Sequence, residues 1–328
     1  TSLSIHALAC DPEDDGRWYS EALADWHLRC QHLDRHPFTG AQPGGWGWTD
    51  LSGAVPDSDD TPAALIALSI MLPLADPPIK HRIRVATESG IQWLLQLQNR
   101  NGGWPTFCRG WGKLPFDRSS TDLTAHAIRA FRSPVVQELR GTDQRLGNRV
   151  QRASGRGKRF LSRQQQTDTK NLGAWMPLWF GNQDRDCETN PIYGTAKVLI
   201  AGTVDRQSES NAIAYLMTNQ NPDGGWGGGT SVRQQMERLI SEAADGGQLD
   251  PRLPEGLVST VEETALTIEA MATVMLRDRD RSTTAKIAPE AFAAGNERAM
   301  AAILRGIEFL EARVHDRRHH DTRQNGYY

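Results

Sequence analysis

Three carboxylates fall within four residues at Asp57, Asp59 and Asp60, in the segment Val55-Pro56-Asp57-Ser58-Asp59-Asp60-Thr61-Pro62. Acids this close repel one another when ionised, so in a dry pocket a proton stays in the cluster and the group titrates as one unit. A Brønsted acid that must remain protonated at neutral pH needs that arrangement. In water the same cluster is only a helix cap, because carboxylates favour the positive end of a helix. An apolar run follows directly (Ala63, Ala64, Leu65, Ala67, Leu68), with Thr61 placed to cap it and Pro62 in its first turn. The spacing predicts a helix that starts at a cluster of acids. Two readings stand at this point, a solvated cap or the floor of a site, and the elements that would position the acids decide between them.

The chain has 328 residues, 38% of them hydrophobic, and a formal net charge of −3. That composition describes a globular chain large enough for one big domain or two small ones. Without a dominant basic run, nucleic acid is not expected as a main partner, and the basic stretch Arg156 to Arg163 reads as a solvated helix face. Cys10, Cys30, Cys108 and Cys187 are widely spaced with no C-x-x-C pair, which fits a reducing, cytoplasmic setting and carries no zinc signature. No window approaches the roughly 20 apolar residues of a membrane span, and no signal peptide is visible.

Ten Trp residues beside only five Tyr recur next to Gly pairs, and this exposes a repeat. Each unit is an apolar helix with a Thr near its start, a second helix with an aromatic five residues before a Gln, and a Gly-rich turn with Trp. The threonines are Thr1, Thr61, Thr124, Thr195 and Thr264. The aromatic and Gln pairs are Trp26 with Gln31, Trp93 with Gln98, Phe160 with Gln165 and Tyr215 with Gln220. The turns are Gly44-Gly45-Trp46, Gly102-Gly103-Trp104, Gly173-Ala174-Trp175 and Gly224-Gly225-Trp226. A fifth second helix, with Gly306, Phe309 and Leu310, starts the pattern without a clear Gln or Trp after it. A Gln can satisfy orphan groups at a helix end, and a Trp can bury its body while its N–H bonds a carbonyl, so these residues read as structural staples. Strand-period alternation is nearly absent. The expected fold is all-α, an α/α toroid with inner and outer helices, about five pairs of an ideal six. The amino ends of the inner helices then converge on one mouth, which favours a concave, dry site at Asp57 to Asp60 over a solvated cap.

The Gln…Gly-x-Trp repeat, Asp57-Ser58-Asp59-Asp60-Thr61 and Asp122-Leu123-Thr124-Ala125-His126 together resemble the squalene-hopene cyclase family, and more broadly class II terpene cyclases. The similarity runs over almost the whole chain and is to the carboxyl-terminal of the family's two barrels. It implies a single domain over residues 1–328 that is a fragment of a longer protein, since Thr1 falls where the family begins an inner helix. The partner implied is the missing amino-terminal barrel of the same chain, and the fragment alone is expected to be inactive. The resemblance implies an isomerase that protonates a polyprenyl alkene, squalene or a related triterpene precursor, with no cofactor and no metal. It puts the proton donor on Asp59, its flanking carboxylates on Asp57 and Asp60, and the His that hydrogen-bonds the donor on His126. Phe116 and Tyr193 fall where the family has cavity aromatics. Trp48, Trp104 and Trp111 join them as aromatic faces for a carbocation, each worth ~2 kcal/mol when desolvated.

The chain departs from the family where an aromatic-rich stretch is replaced by Asp184-Arg185-Asp186-Cys187-Glu188-Thr189, and where a terminal Phe-containing segment has no counterpart. Two rival readings follow. One is a non-catalytic isoprenoid-binding or interaction barrel. The other is a metal-dependent prenyltransferase-like subunit, which would need an Asp, Cys and His ligand set that Asp186-Cys187 does not supply by spacing. Glu262 and Glu263 read as acids favouring a helix start, with no role assigned. Because such substrates reside in bilayers, peripheral membrane contact is expected of a cytoplasmic protein.

Overall fold

The computed structural model describes residues 1–11, 13, 15–51, 53–110, 115–185, 187–244, 258–284 and 289–315. Contacts divide the chain into two compact units, Thr1–Gln164 and Gln165–Tyr328. The first holds α1 (Ser2–Leu8), α2 (Glu21–Arg29), α3 (Asp60–Met71), α4 (Pro77–Leu97), α5 (Thr121–Ala130), α6 (Pro134–Thr142) and α7 (Gln144–Gln164). The second holds α8 (Pro191–Ala201), α9 (Arg206–Thr218), α10 (Thr230–Ala244), α11 (Val261–Thr284) and α12 (Pro289–His315). Among the described residues the extended pieces are two-residue strands, β1 (Trp104–Pro105) and β2 (Ser119–Ser120), paired antiparallel in the first unit. The all-α class expected from the repeats is the one found.

Each unit has two layers. In the first, α1, α3 and α5 lie side by side as inner helices, with α2, α4 and α7 outside and α6 wedged between α4 and α7. In the second, α8 and α11 form the inner layer and α9 and α12 the outer. Capping explains where the outer helices begin. Asp76 accepts from the Ile79 amide (2.9 Å) ahead of Pro77 at the start of α4, and Asp205 accepts from Ser208 (2.9 Å) at the start of α9. The helices α6 and α10 lie in connections that carry no repeat residues, so the repeat gave no sign of them.

One joint recurs four times. Gln31, Gln98, Gln165 and Gln220 each donate through Nε2 to two carbonyls. One belongs to the first Gly of the following turn and the other to the next outer helix, as in Gln98 to Gly102 O (2.7 Å) and Ala153 O (2.9 Å). The Trp amide then donates to the Thr of the next inner helix: Trp46 to Thr61, Trp104 to Thr124, Trp175 to Thr195 and Trp226 to Thr264, all at 2.9 to 3.0 Å. Ring N–H groups reach back to the preceding outer helix, Trp46 to His27 O, Trp104 to Leu94 O and Trp226 to Leu216 O. The staple reading is thus realised, with one correction. Thr61 is not the cap of α3: its hydroxyl is taken by Trp46, and the helix starts at Asp60, two residues before the Pro62 start that a Thr61 cap would give.

Close approach sets the glycines. Gly102 has φ +98, and a Cβ there would lie 2.5 Å from Arg156 O. Gly157 of α7 is the seat of the Trp104 ring; a Cβ would meet Trp104 Cζ3 at 3.0 Å and Ile128 Cδ1 at 2.8 Å. Gly90 and Gly306 seat Trp46 and Trp226 in the same way. The polar stretch before Tyr193 is also structural. Asn182 donates to Gly228 O (3.0 Å) and to Glu263 (3.3 Å), Arg185 donates to Gly228 O (3.0 Å), and Glu263 accepts from Gly228 N (2.8 Å) and Thr260 (2.6 Å). Glu263, read from sequence as a mere acid at a helix start, is a buried link between two loops, and burial raises its pKa.

Candidate active site

The acid segment is built onto the first complete joint. The Asp57 amide donates to Trp46 O (3.1 Å), Ser58 N donates to Thr106 O (3.3 Å), and Asp57 forms an isolated antiparallel bridge with Phe107. The segment is therefore fixed on both sides by the chain leaving two successive Trp turns. From this position the Asp57 carboxylate turns inward and accepts from the Asp59 amide (2.8 Å) and the Asp60 amide (2.6 Å). Those are orphan donors of the first turn of α3, so Asp57 serves as the cap that Thr61 does not.

Burial is graded across the three acids. Asp57 and Ser58 are buried, Asp60 is intermediate, and the Asp59 side chain is 39% exposed. Asp59 is therefore the member open to a molecule arriving from outside. Burial raises the pKa of Asp57 well above the ordinary carboxylate value, and the charges of Asp60 and Asp59 raise it further. Burial also raises Asp60, which shares a side-chain hydrogen bond with Asp57. Two carboxyls with raised pKa values and one bond between them hold a proton in common.

His126 comes from the neighbouring inner helix α5. Its ring is buried at 7% exposure, and Nδ1 lies 3.0 Å from Asp59 Oδ1. The sequence thus names a pair, 67 residues apart, that the fold brings into contact. Asp122, one turn before His126, is buried and accepts from the Ser120 hydroxyl. Among the described residues no group of three or more His, Cys, Asp or Glu is placed to hold a metal ion.

The expected aromatic faces have different surroundings. Trp104 is completely buried in its joint, edge-on to Phe131 at 5.9 Å. Trp48 is 57% exposed. Phe116 stands edge-on to Phe107 at 5.2 Å, and its carbonyl accepts from the Thr106 amide (3.0 Å). In the second unit the buried Tyr193 ring lies 5.3 Å from Phe180, with the Lys197 ammonium 5.6 Å above it. Trp111 lies outside the described residues. Phe107 escaped the sequence reading although its backbone bridges to Asp57; its position three residues after Trp104 of a Gly-Gly-Trp turn was the available signal.

Residues 17–246 match the family described as the squalene-hopene cyclase C-terminal domain, and the chain belongs to that family. It is 28% identical over 251 residues to an enfumafungin synthase of Hormonema carpetanum, covering 69% of the chain and 18% of that protein. It is 31% identical over 206 residues to a terpene cyclase-glycosyl transferase fusion protein of Humicola fuscoatra, covering 57% of the chain and 14% of that protein. With a squalene-hopene cyclase of Zymomonas mobilis the identity is 26% over 251 residues, covering 69% of the chain and 34% of that protein. The matched part of the chain therefore spans between 14% and 34% of these relatives' lengths. No described helix is long and apolar enough to cross a membrane.

Proposed function

We propose that this chain is the acid-bearing part of a proton-initiated terpene cyclase, with Asp59 as the donor to a terminal alkene of squalene or a related triterpene precursor. The observation that carries this reading is the 3.0 Å contact between Asp59 and His126, beside the buried Asp57–Asp60 pair. In the step, the alkene π electrons form a C–H bond while the Asp59 O–H breaks and its electron pair stays on the carboxylate. His126, donating through Nδ1, stabilises that carboxylate, as hydrogen bonds to a charged form do. The shared proton of Asp57 and Asp60 keeps the cluster from ionising fully, which preserves the acidity of the third member. The tertiary cation left on the substrate is consumed by successive alkene attack and ends by proton loss or water addition. Phe116, with Trp48 and Trp111 as further aromatics, is assigned to cation stabilisation, whereas Trp104 is enclosed in its joint and Tyr193 is faced by Lys197. The remaining wall of the pocket and the contact with a bilayer that delivers so apolar a substrate are assigned to the whole protein.

A second reading, a non-catalytic isoprenoid-binding barrel, is favoured by one observation. The Lys197 ammonium already occupies a face of Tyr193, where a carbocation would meet repulsion. Asp59→Asn in the full-length protein, assayed by product profiling on squalene, separates the two. Loss of cyclised product to background, with substrate still bound, is the expected result. Undiminished cyclisation would refute the role of Asp59, and a wild-type protein that binds squalene without cyclising it would favour the second reading.

A further inference from the structure

The outer helix α7 has the sequence QRLGNRVQRASGRGKRFLSRQ, with seven cations and no acid in 21 residues. Its buried side is apolar, through Leu146, Val150, Ala153, Phe160 and Leu161. The cations are not scattered over the other side. Arg145, Arg149, Arg152, Arg156, Arg159 and Arg163 follow one another at intervals of four, three, four, three and four residues, and all six are exposed. That period places them in a single line along the helix, about 27 Å long at the rise of an α-helix. None of the six makes an ion pair with a described residue. Alternate members lean on neutral oxygens of the first unit: Arg149 on Gln92 Oε1, Arg156 on Gln98 Oε1, and Arg163 on Asn101 O at 3.1 Å. A protein that only needs solubility mixes its surface charges, and a bare row of six like charges carries mutual repulsion.

We propose that this arginine row is a docking surface for an acidic α-helix of a partner protein, one that carries carboxylates at the same alternating spacing. Three features select that occupant. The row repeats every 3.6 residues on average, so it stays on one line of α7 along which a second helix can lie and meet each member in turn. The row is made of Arg alone, while the one Lys, Lys158, lies off it. The planar guanidinium fork matches carboxylates in pairs, a geometry that a Lys point charge does not offer. Three of the forks are already anchored on neutral acceptors, so part of their ordering cost is met before binding. A fluid anionic bilayer reads total charge, with no demand for period or for Arg over Lys. The six arginines present no apolar side chain for insertion either. The complement is not supplied by a second copy of the chain. On α12 the exposed Glu297, Glu308 and Glu311 are interspersed with Arg298, Arg305 and Arg313, which would meet the row with like charge, and the exposed Glu21, Glu88, Glu138, Glu237 and Glu262 fall on five separate helices, so no described helix of a second copy offers a matching row of acids.

The test uses the full chain and a labelled synthetic helix as long as α7 with glutamates at the four-three spacing. A peptide of identical composition with the glutamates scrambled serves as control. Anisotropy titrations at low salt are expected to show the spaced peptide binding about fivefold or more tightly than the scrambled one, and binding should weaken steeply with added salt. Arg145→Glu, Arg152→Glu and Arg159→Glu together reverse the three members that make no hydrogen bond to a neighbour, and should cost about tenfold or more. Single Arg152→Gln, with unchanged melting, serves if the triple variant loses its fold, and should weaken the spaced peptide while leaving the scrambled one unaffected. Equal binding of both peptides, no binding of either, or binding confined to phosphatidylserine vesicles would each overturn the proposal.

Discussion

Lowering the pH should destabilise the first unit through one buried histidine. His27 of α2 is 3% exposed, and neither ring nitrogen has a hydrogen bond of normal geometry. Burial lowers its pKa to about 4, the nearby Ala64 backbone opposing only part of the effect. In the unfolded chain the same ring takes up its proton near the ordinary value of 6.5. The unfolded state therefore binds more protons than the folded one between those values. The stability that the neutral ring provides is fully present above about pH 6.5 and is lost as pH falls towards 4. The shift of roughly 2.5 units corresponds to about 3 kcal/mol across that window, and to about 2.5 kcal/mol by pH 4.5. Such a loss is a large part of the net stability of a typical domain. The assay is urea unfolding at closely spaced pH values, followed by Trp fluorescence, for the wild type and His27→Leu. The variant's absolute stability is immaterial, because the comparison is of slopes, and its curve should be flatter by the stated amount. Parallel curves for the two proteins between pH 4.5 and about 7 would refute the reasoning.

Two further outcomes follow from the site and the joint. Asp57→Asn keeps an oxygen for the Asp59 and Asp60 amides but removes a group whose folded pKa is raised. Because such an acid costs stability as pH rises above its unfolded value, the variant should gain on the wild type in thermal melts as pH is raised above the ordinary carboxylate value of 3.8, while its cyclisation rate falls; an unchanged difference across pH would contradict the raised pKa. Gly157→Ala pushes a methyl against Trp104 and Ile128, and should cost about 1–3 kcal/mol by overpacking, measured by urea unfolding; a neutral or stabilising result would show that the Trp ring is free to move.

The layered all-α fold was legible because its fastening residues repeat. Gln, the Gly turn, Trp and Thr stand in fixed order, and each makes the same bond in every copy. The role of Thr was misassigned because a Thr at a helix start is equally suited to capping; only the approach of Trp46 shows where its hydroxyl is used. Glycines that seat the Trp rings were invisible, since Gly90 and Gly157 lie in helices and meet rings from distant segments. In the site, the acids and His126 could be named from type and spacing, and the contact between Asp59 and His126 follows from neighbouring inner helices. Whether a given aromatic is a wall or a fastening could not be read, because Trp46, Trp48 and Trp104 differ only in what surrounds them. His27 and Glu263 gave no signal either. Their burial is decided by chain segments that no local pattern specifies.

The position four residues before each joint threonine is occupied in turn by Asp57, Ser120, Pro191 and Thr260. Three of them sit beside a Trp turn in the same way: Asp57 N and Thr260 N donate to the carbonyls of Trp46 and Trp226, and Ser120 pairs with Trp104. The acid segment therefore uses no architecture of its own. It occupies one of several equivalent sockets whose dimensions are set by the fastening of helices. Under the proposed function, reactivity is written onto a mechanical part, and acid strength and helix attachment share atoms at Asp57. A substitution that tightens the first joint would also retune the proton, whereas the same change at the Trp104 or Trp226 socket would alter cohesion alone.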